Sequence, residues 1–461
     1  MNLTKQVGLV VGAAALTLTS GSFADTTPEA NTDLKAKLDS ALARIDQLEA
    51  KQNDNWLTEQ RADEIRGLVQ DVLADADTRA SLLAQGVTAG YDNGAVIASA
   101  NGDWSLRTNI HMQQRFVWNN QDEGPLGGFI DEDRYGFENT RTKFILTGNV
   151  VNPQWIYKVE INVGSPSAAA APVLVPLAAA AGVGADSRAG TGDAYLGYKY
   201  DDGLTVLFGT MKAPLLREEL VDSRYQLAVE RSALNYLFTG GRMDGIAADW
   251  MGDQFHLTGA FSDGIRTGQT VWATPDTDLA FTGRVEYLHS GTWDQFMDFT
   301  NPTGNANGLM IGGAIHYQSS EDDPGTGLAD VDVLVLTADV SAEFSGANLY
   351  AAFIYTDIDV ATLPTINPLG FLVQGGVDLG TDWEAFARYE FADFDVTGIQ
   401  DLSLITFGVT RYFAQHNAKW TTDVGIGLDE VVFAPAITGL RTDVPGEDTQ
   451  VVIRSQIQLV F

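Results

Sequence analysis

The chain closes on Arg454–Phe461, "RSQIQLVF", with no residue after the last aromatic ring. Ile453, Ile457, Leu459 and Phe461 share one parity, while Arg454, Gln456 and Gln458 share the other. Successive side chains of an extended chain point to opposite faces, so the pattern reads as a strand with one greasy and one wet side. Such a strand needs a neighbour for its free edge. The candidate is the first alternating stretch of the same kind, "DWSLRTNIHMQQRFVW" (Asp103–Trp118). Two further stretches repeat the pattern. Trp155, Tyr157, Val159 and Ile161 alternate with Lys158, Glu160 and Asn162; Trp420, Val424 and Ile426 oppose Lys419, Thr421 and Asp423.

Sixteen alternating segments of about ten residues run from 103–119 to 449–461, separated by Gly/Asp/Asn/Pro clusters. Connection lengths alternate too. "VVNP", "DDG", "GD", "SG", "TD" and "AQH" follow strands two, four, six, ten, twelve and fourteen, whereas odd strands are followed by long stretches such as Asn120–Arg134, Ser165–Thr191, Pro214–Arg242 and Glu430–Thr449. One connection breaks the rule: Ser290–Asn307 is long where a turn is due, as a miscounted strand pair would make it. Charged inward faces, outward faces ending in Trp, Tyr or Phe, and an even strand count fit a transmembrane antiparallel β-barrel spanning 102–461. Closure removes the unpaired edges that hydrocarbon does not tolerate. The terminal aromatic then sits at the closing seam, facing lipid.

The rest of the chain fits export. Lys5 precedes the apolar run "VGLVVGAAALTLTSGSFA", which ends in Ser22-Phe23-Ala24, so residues 1–24 read as a signal peptide. Residues 25–85 read as a periplasmic helical segment. Leu34, Leu38, Ala41, Ile45 and Leu48 fall at coiled-coil spacing, and Ile65, Leu68, Val69, Val72 and Leu73 share one face of a second helix. A trimerising spacer is the first expectation for it, a cell-wall contact the second. Residues 86–101 read as a linker. "AAAAPVLVPLAAAAGVG" (Ala168–Gly184) approaches membrane-helix length, but Pro172 and Pro176 make it a loop. With 28 Lys+Arg against 61 Asp+Glu the net charge is −33, which repels nucleic-acid phosphate. There is no cysteine, hence no disulfide and no thiolate metal site.

Four stretches resemble the phosphate-selective porin family of the O and P type. They are "NTRTKFILTGNVVNPQWIYKVEINV", "GDAYLGYKY", "LTVLFGTMKAPLLREELVDSRYQLAVERS" and "GGRMDGI". The matching positions are Arg141, Lys143 and Phe144; Ala194–Tyr198; Gly209, Lys212 and Pro214; and Glu230-Arg231. The resemblance implies a bacterial outer-membrane porin of sixteen strands, a homotrimer, with the long loop Pro214–Arg242 folded inward to narrow the pore. The crowded arginine ladder and lysine cluster of phosphate-preferring members has no counterpart that can be placed here.

A water-filled channel needs no catalytic residue and no cofactor; its chemistry is the field and width along the lumen. Parity assigns Arg107, Arg115, Arg141, Lys143, Lys158, Lys199, Arg284, Arg388, Lys419 and Arg454 to the inner wall, with Glu160, Glu286, Glu384, Glu390 and Asp423. The inward loop would add Lys212, Arg217, Glu218, Glu219, Arg231 and Arg242. Facing charges would either set up a transverse field for small polar solutes or simply satisfy one another. Acidic runs at Asp122–Glu123, Asp131–Asp133, Glu321–Asp323 and Glu447–Asp448 read as solvated outer loops, with divalent bridging to lipid headgroups the alternative. The partners expected are outer-membrane lipid and small solutes in transit. Passive diffusion of small ions and polar nutrients is the first functional expectation. A phosphate- or anion-selective porin is the alternative, and envelope tethering through the N-terminal helices a third. None of the five histidines (111, 256, 289, 316 and 416) sits beside a serine in a nucleophile setting, which argues against a hydrolase.

Overall fold

The computed structural model describes residues 35–44, 67, 86–121, 133–164, 191–239, 241–265, 277, 279–320, 330–361, 363–443 and 449–461. The signal peptide, most of the coiled-coil segment, the 168–184 stretch and most of the acidic loop runs lie outside these residues. Two units are described separately, residues 1–105 and 106–461. In the first, residues 35–44 are helical. The expected linker instead carries a hairpin of β1 (Val87–Tyr91) and β2 (Ala95–Ser99). Its Asp92-Asn93-Gly94 turn, with Asn93 at φ 46° and Gly94 at φ 137°, has the chemistry that joins short strands.

The second unit is one sheet closed on itself. Its strands are β3 (Ser105–Gln121), β4 (Asp133–Val150), β5 (Asn152–Asn162), β6 (Thr191–Lys199), β7 (Leu204–Lys212), β8 (Arg242–Met251), β9 (Phe255–Ser262) and β10 (Leu279–Ser290). They continue with β11 (Gly308–Ser320), β12 (Val331–Phe344), β13 (Ala347–Val360), β14 (Leu369–Gly380), β15 (Trp383–Asp393), β16 (Leu402–Ala414), β17 (Ala418–Gly427) and β18 (Gln450–Val460). Neighbours in sequence pair antiparallel from β4 to β18, and β3 lies beside β4. β18 pairs back onto β3 with Gln456 opposite Arg115, and Phe461 exchanges backbone hydrogen bonds with Ile110. The seam expected from the last eight residues is therefore present, with the Phe461 ring exposed.

All sixteen expected strands are found within a few residues of their predicted bounds. Large apolar side chains such as Phe208, Phe261, Phe281, Ile311, Phe353 and Phe407 stand exposed on the outside. Near the turn rim, aromatic clusters (Trp155 with Tyr198 and Tyr200; Trp383 with Trp420) sit where an interfacial girdle belongs. Six connections on that rim are one to four residues long. The seventh, 291–307, hides no miscounted strand pair. It is a folded insert with a short 3-10 turn (Asp294–Met297), and the strand count stands. Among the described residues no helix is long and apolar enough to cross a membrane.

Candidate pore constriction

The loop between β7 and β8 enters the barrel and fills part of it. Its start is set by Gly209, at φ 130°, where a Cβ would fall 2.4 Å from the Ala194 carbonyl oxygen; only glycine lets β7 lie this close to β6. Past Lys212, the loop forms a short helix Arg217–Leu220, a 3-10 turn Ser223–Tyr225 and a helix Ala233–Phe238. Ser232 caps the last of these by accepting from the Asn235 N–H at 2.9 Å. Leu215, Leu216, Leu227, Leu234 and Leu237 are buried, and they pack with inward Val331, Val333, Val335 and Leu372 of the wall. At about 1.5–3 kcal/mol for each large apolar side chain removed from water, this burial is ample to hold the loop inside.

Charged wall residues anchor the loop's polar groups. Arg141 makes a two-pronged pair with Glu230, both bonds 2.7 Å, and also donates to the Tyr236 hydroxyl and to Gln113. Arg115 pairs with Glu138 and approaches Glu230 at 3.7 Å. Arg388 donates to the Glu230 carbonyl at 3.0 Å, and lies 2.8 Å from Glu390 and 3.6 Å from Glu218. Arg284 holds Asp339, Glu286 and the Leu215 carbonyl. Arg454 binds Asp423 through two bonds and the Thr438 carbonyl through a third, and Asp423 accepts the Val229 N–H. Lys419 donates to the Gln226 carbonyl at 2.9 Å. Glu390 accepts the Leu234 N–H, while Glu384 is satisfied by Asn348 and Tyr412.

Within the loop, Lys212 donates to the Glu219 and Leu220 carbonyls, and Arg231 to those of Glu218, Glu219 and Val221. Arg217 donates to the Phe296 carbonyl and lies over the Phe296 and Phe299 rings. Burial differs in effect on two loop carboxyls. For Glu230 burial opposes ionisation, but Arg141 and Arg115 outweigh it and hold the carboxyl well below its ordinary range. For Glu218 burial prevails over Arg388 and Ser232, and its carboxyl is raised.

A second charged group lies on β4–β8. Lys143 pairs with Glu160 at 2.8 Å, Glu160 with Arg242 at 3.4 Å, Arg242 with Asp193 at 2.8 Å, and Asp193 with Lys158 at 2.5 Å. Next to this chain, His256 bridges Asp249 and Glu286, both at 2.8 Å. Of the other predicted wall residues, Arg107 is half-buried near the start of β3, and Lys199 is exposed at the end of β6. Sequence reading missed Asp193, Asp339, Asp249 and the bridging role of His256. Asp193 was open to detection, since it shares the inward parity of Tyr195 and Lys199; the others needed the register of neighbouring strands. Among the described residues no group of three or more His, Asp or Glu is placed to hold a metal.

Comparison with solved structures places the barrel among outer-membrane proteins. An anion-selective porin from Comamonas acidovorans superposes with a TM-score of 0.53 at 13% identity, covering 78% of this chain and 100% of that one. The outer-membrane expressed OmpT of Vibrio cholerae gives 0.51 at 12% identity, covering 78% of this chain and 98% of that one. At such identities the likeness is one of fold. Comparison with curated protein sequences gives no match. The sequence pattern of the family described as phosphate-selective porin O and P matches residues 176–399. That stretch takes in β6 to β15 with the inward loop between β7 and β8, and over these residues the chain is similar to the phosphate-selective porin O and P family.

Proposed function

We propose that the chain is an outer-membrane porin whose lumen passes small ions and polar nutrients by passive diffusion, working as a homotrimer with residues 25–85 on the periplasmic side. The observation that carries this reading is an uneven inner wall. Lys158, Arg242, Asp249 and His256 keep 16–32% of their side-chain surface open, whereas Arg115, Arg284, Arg388 and Arg454 keep 3% or less. The loop closes one part of the barrel and leaves a charged, wetted strip along β5, β8 and β9. Charges that stay hydrated along a narrow passage admit small polar solutes without binding them tightly. Single-channel recording of the purified protein in planar bilayers tests the proposal. Steady ohmic steps are expected, altered by Lys212→Ala and Arg231→Ala, which free the loop's backbone anchors. A folded barrel that leaves the bilayer silent overturns it.

One observation favours an anion-selective version. At two of the strip's pairs the cation stands in front of its carboxylate: Lys158 is 22% open against 8% for Asp193, and Arg242 16% against 3% for Glu160, whereas at the third Asp249 is 32% open against 21% for His256. A permeating ion therefore meets N–H donors first at Lys158 and Arg242. Reversal potentials in a salt gradient decide the matter; cation preference in the native protein rules this version out.

A further inference from the structure

On the rim of short turns, only 291–307 is long, and it does not hang outside the barrel. At its start Trp293 donates to the Gly252 carbonyl, in the turn between β8 and β9, at 2.9 Å. Phe296 is buried against Leu288 and Met310, and the Phe299 ring packs on inward-facing Tyr350 at 4.9 Å. Asn301 then donates to the Phe344 carbonyl at 2.7 Å, and the Thr303 N–H to Asp378 at 2.7 Å. On the far side Asp298 lies 3.3 Å from His416, in the turn between β16 and β17, and Thr300 contacts the same ring nitrogen at 3.3 Å. The β8/β9 and β16/β17 turns are eight strands apart in a ring of sixteen, so they stand on opposite sides of the mouth. The insert crosses that mouth like a bar.

It also meets the inward loop from the other side. Arg217 of the loop donates to the Phe296 carbonyl, and Tyr225 of the loop stacks edge-on against His416 at 5.0 Å. Nothing in barrel closure requires such contacts, since two residues suffice to join antiparallel strands and do so at Ser345-Gly346 and Thr381-Asp382. A long segment that buries Phe296, Phe299 and Asn301 inside a lumen takes space from the solute path.

We propose that 291–307 is a second constriction, in series with the inward loop, clamped across the turn-side mouth by His416 and Arg217. The proposal rests on the porin reading and sets its size limit: a solute that clears the inward loop must still pass the bar. The test replaces residues 292–306 by Asn-Gly, and compares single-channel conductance with the native protein. A rise of about threefold or more is expected, because conductance follows the cross-section of the narrowest segment. Unchanged conductance in a variant that keeps the compact, heat-modifiable barrel band overturns the proposal. Silence from the native protein overturns the porin reading, and the variant still reports on the bar: current from it alone identifies the bar as a plug, and silence from both overturns this proposal as well. If the shortened chain does not fold, Thr300→Cys in this cysteine-free sequence serves instead. Modification by a bulky methanethiosulfonate added to both chambers is expected to cut the current; no change overturns the constriction.

Discussion

The wall around β5, β8 and β9 differs from the wall of β12–β14, although both belong to one closed sheet. The first carries Lys158, Arg242, Asp249 and His256 inward and leaves them partly wet. The second turns Val331, Val333, Val335, Ala352, Ile354 and Leu372 inward and buries them under loop leucines. In a simple porin wall, inward means polar. Here inward means whatever is on the other side: water along one strip, a packed loop along another. The difference teaches that this lumen is part passage and part protein core, and that the two parts answer to different forces. Apolar area and fully desolvated ion pairs hold the packed part, whereas hydrated charge tunes the open part.

The sharpest way to break the comparison is to strip a charge on the packed side. Asp423→Ala leaves the buried Arg454 without its carboxylate and removes the acceptor for Val229. A stability loss of about 3–5 kcal/mol is expected, read from the denaturant midpoint of barrel unfolding in detergent. A cost as large for Lys158→Ala, on the wet side, would erase the distinction.

Packing gives the next largest effect. Leu234→Ala should cost about 2–5 kcal/mol, since the cavity forms in a site with little freedom to collapse. Gly370→Ala puts its new methyl 2.2 Å from the Leu234 side chain and should cost about 1–3 kcal/mol. Combining the two should cost less than their sum, because removing Leu234 makes room for the methyl; strict additivity would show that the loop does not press on β14 there.

On the wet side, Arg242→Ala should move stability by about 1 kcal/mol or less while shifting the reversal potential toward cations. No shift would remove Arg242 from the solute path. The smallest effect expected is with pH. Glu230 has a folded-state carboxyl held below its unfolded value, so its contribution is fully present above the ordinary carboxylate range and is lost only as pH falls through the depressed value. The Glu230 fastening should therefore hold from pH 7 to about 5, and of the two loop carboxyls only Glu218, which burial raises, is shifted toward that window. A conductance step in that window would show the loop to be fastened by some other titrating group.

Much of this was legible in the chain. Sixteen alternating runs, the rhythm of short and long connections, and the pairing of the last run with the first are local or near-local properties, and the inward parity of Lys143, Lys158, Glu160 and Arg388 follows from them. Other parts were not legible for physical reasons. In "VDVLVLTADV" both parities are largely apolar, because one side meets lipid and the other meets the inward loop; alternation therefore fades where the barrel is most densely filled. Gly370 is the space into which Leu234 fits, and the two lie far apart in the chain. The length of 291–307 was visible, but its path across the mouth depends on Gly252, Tyr350 and His416, which come together only on closure.

By itself, the order of greasy and wet residues determined that the chain is a closed cylinder, which way its strands face, and on which rim its turns are tight. Those features depend on the period of two and on hydrocarbon's intolerance of open edges, both of which act residue by residue. Tertiary structure alone decided what occupies the cylinder: which charges are sealed beneath the loop, which remain in water, and that a bar spans the turn side. Such matters turn on contacts between segments more than a hundred residues apart, such as Val229 with Asp423 and Leu234 with Gly370, where shape and partner, not local pattern, set the energy.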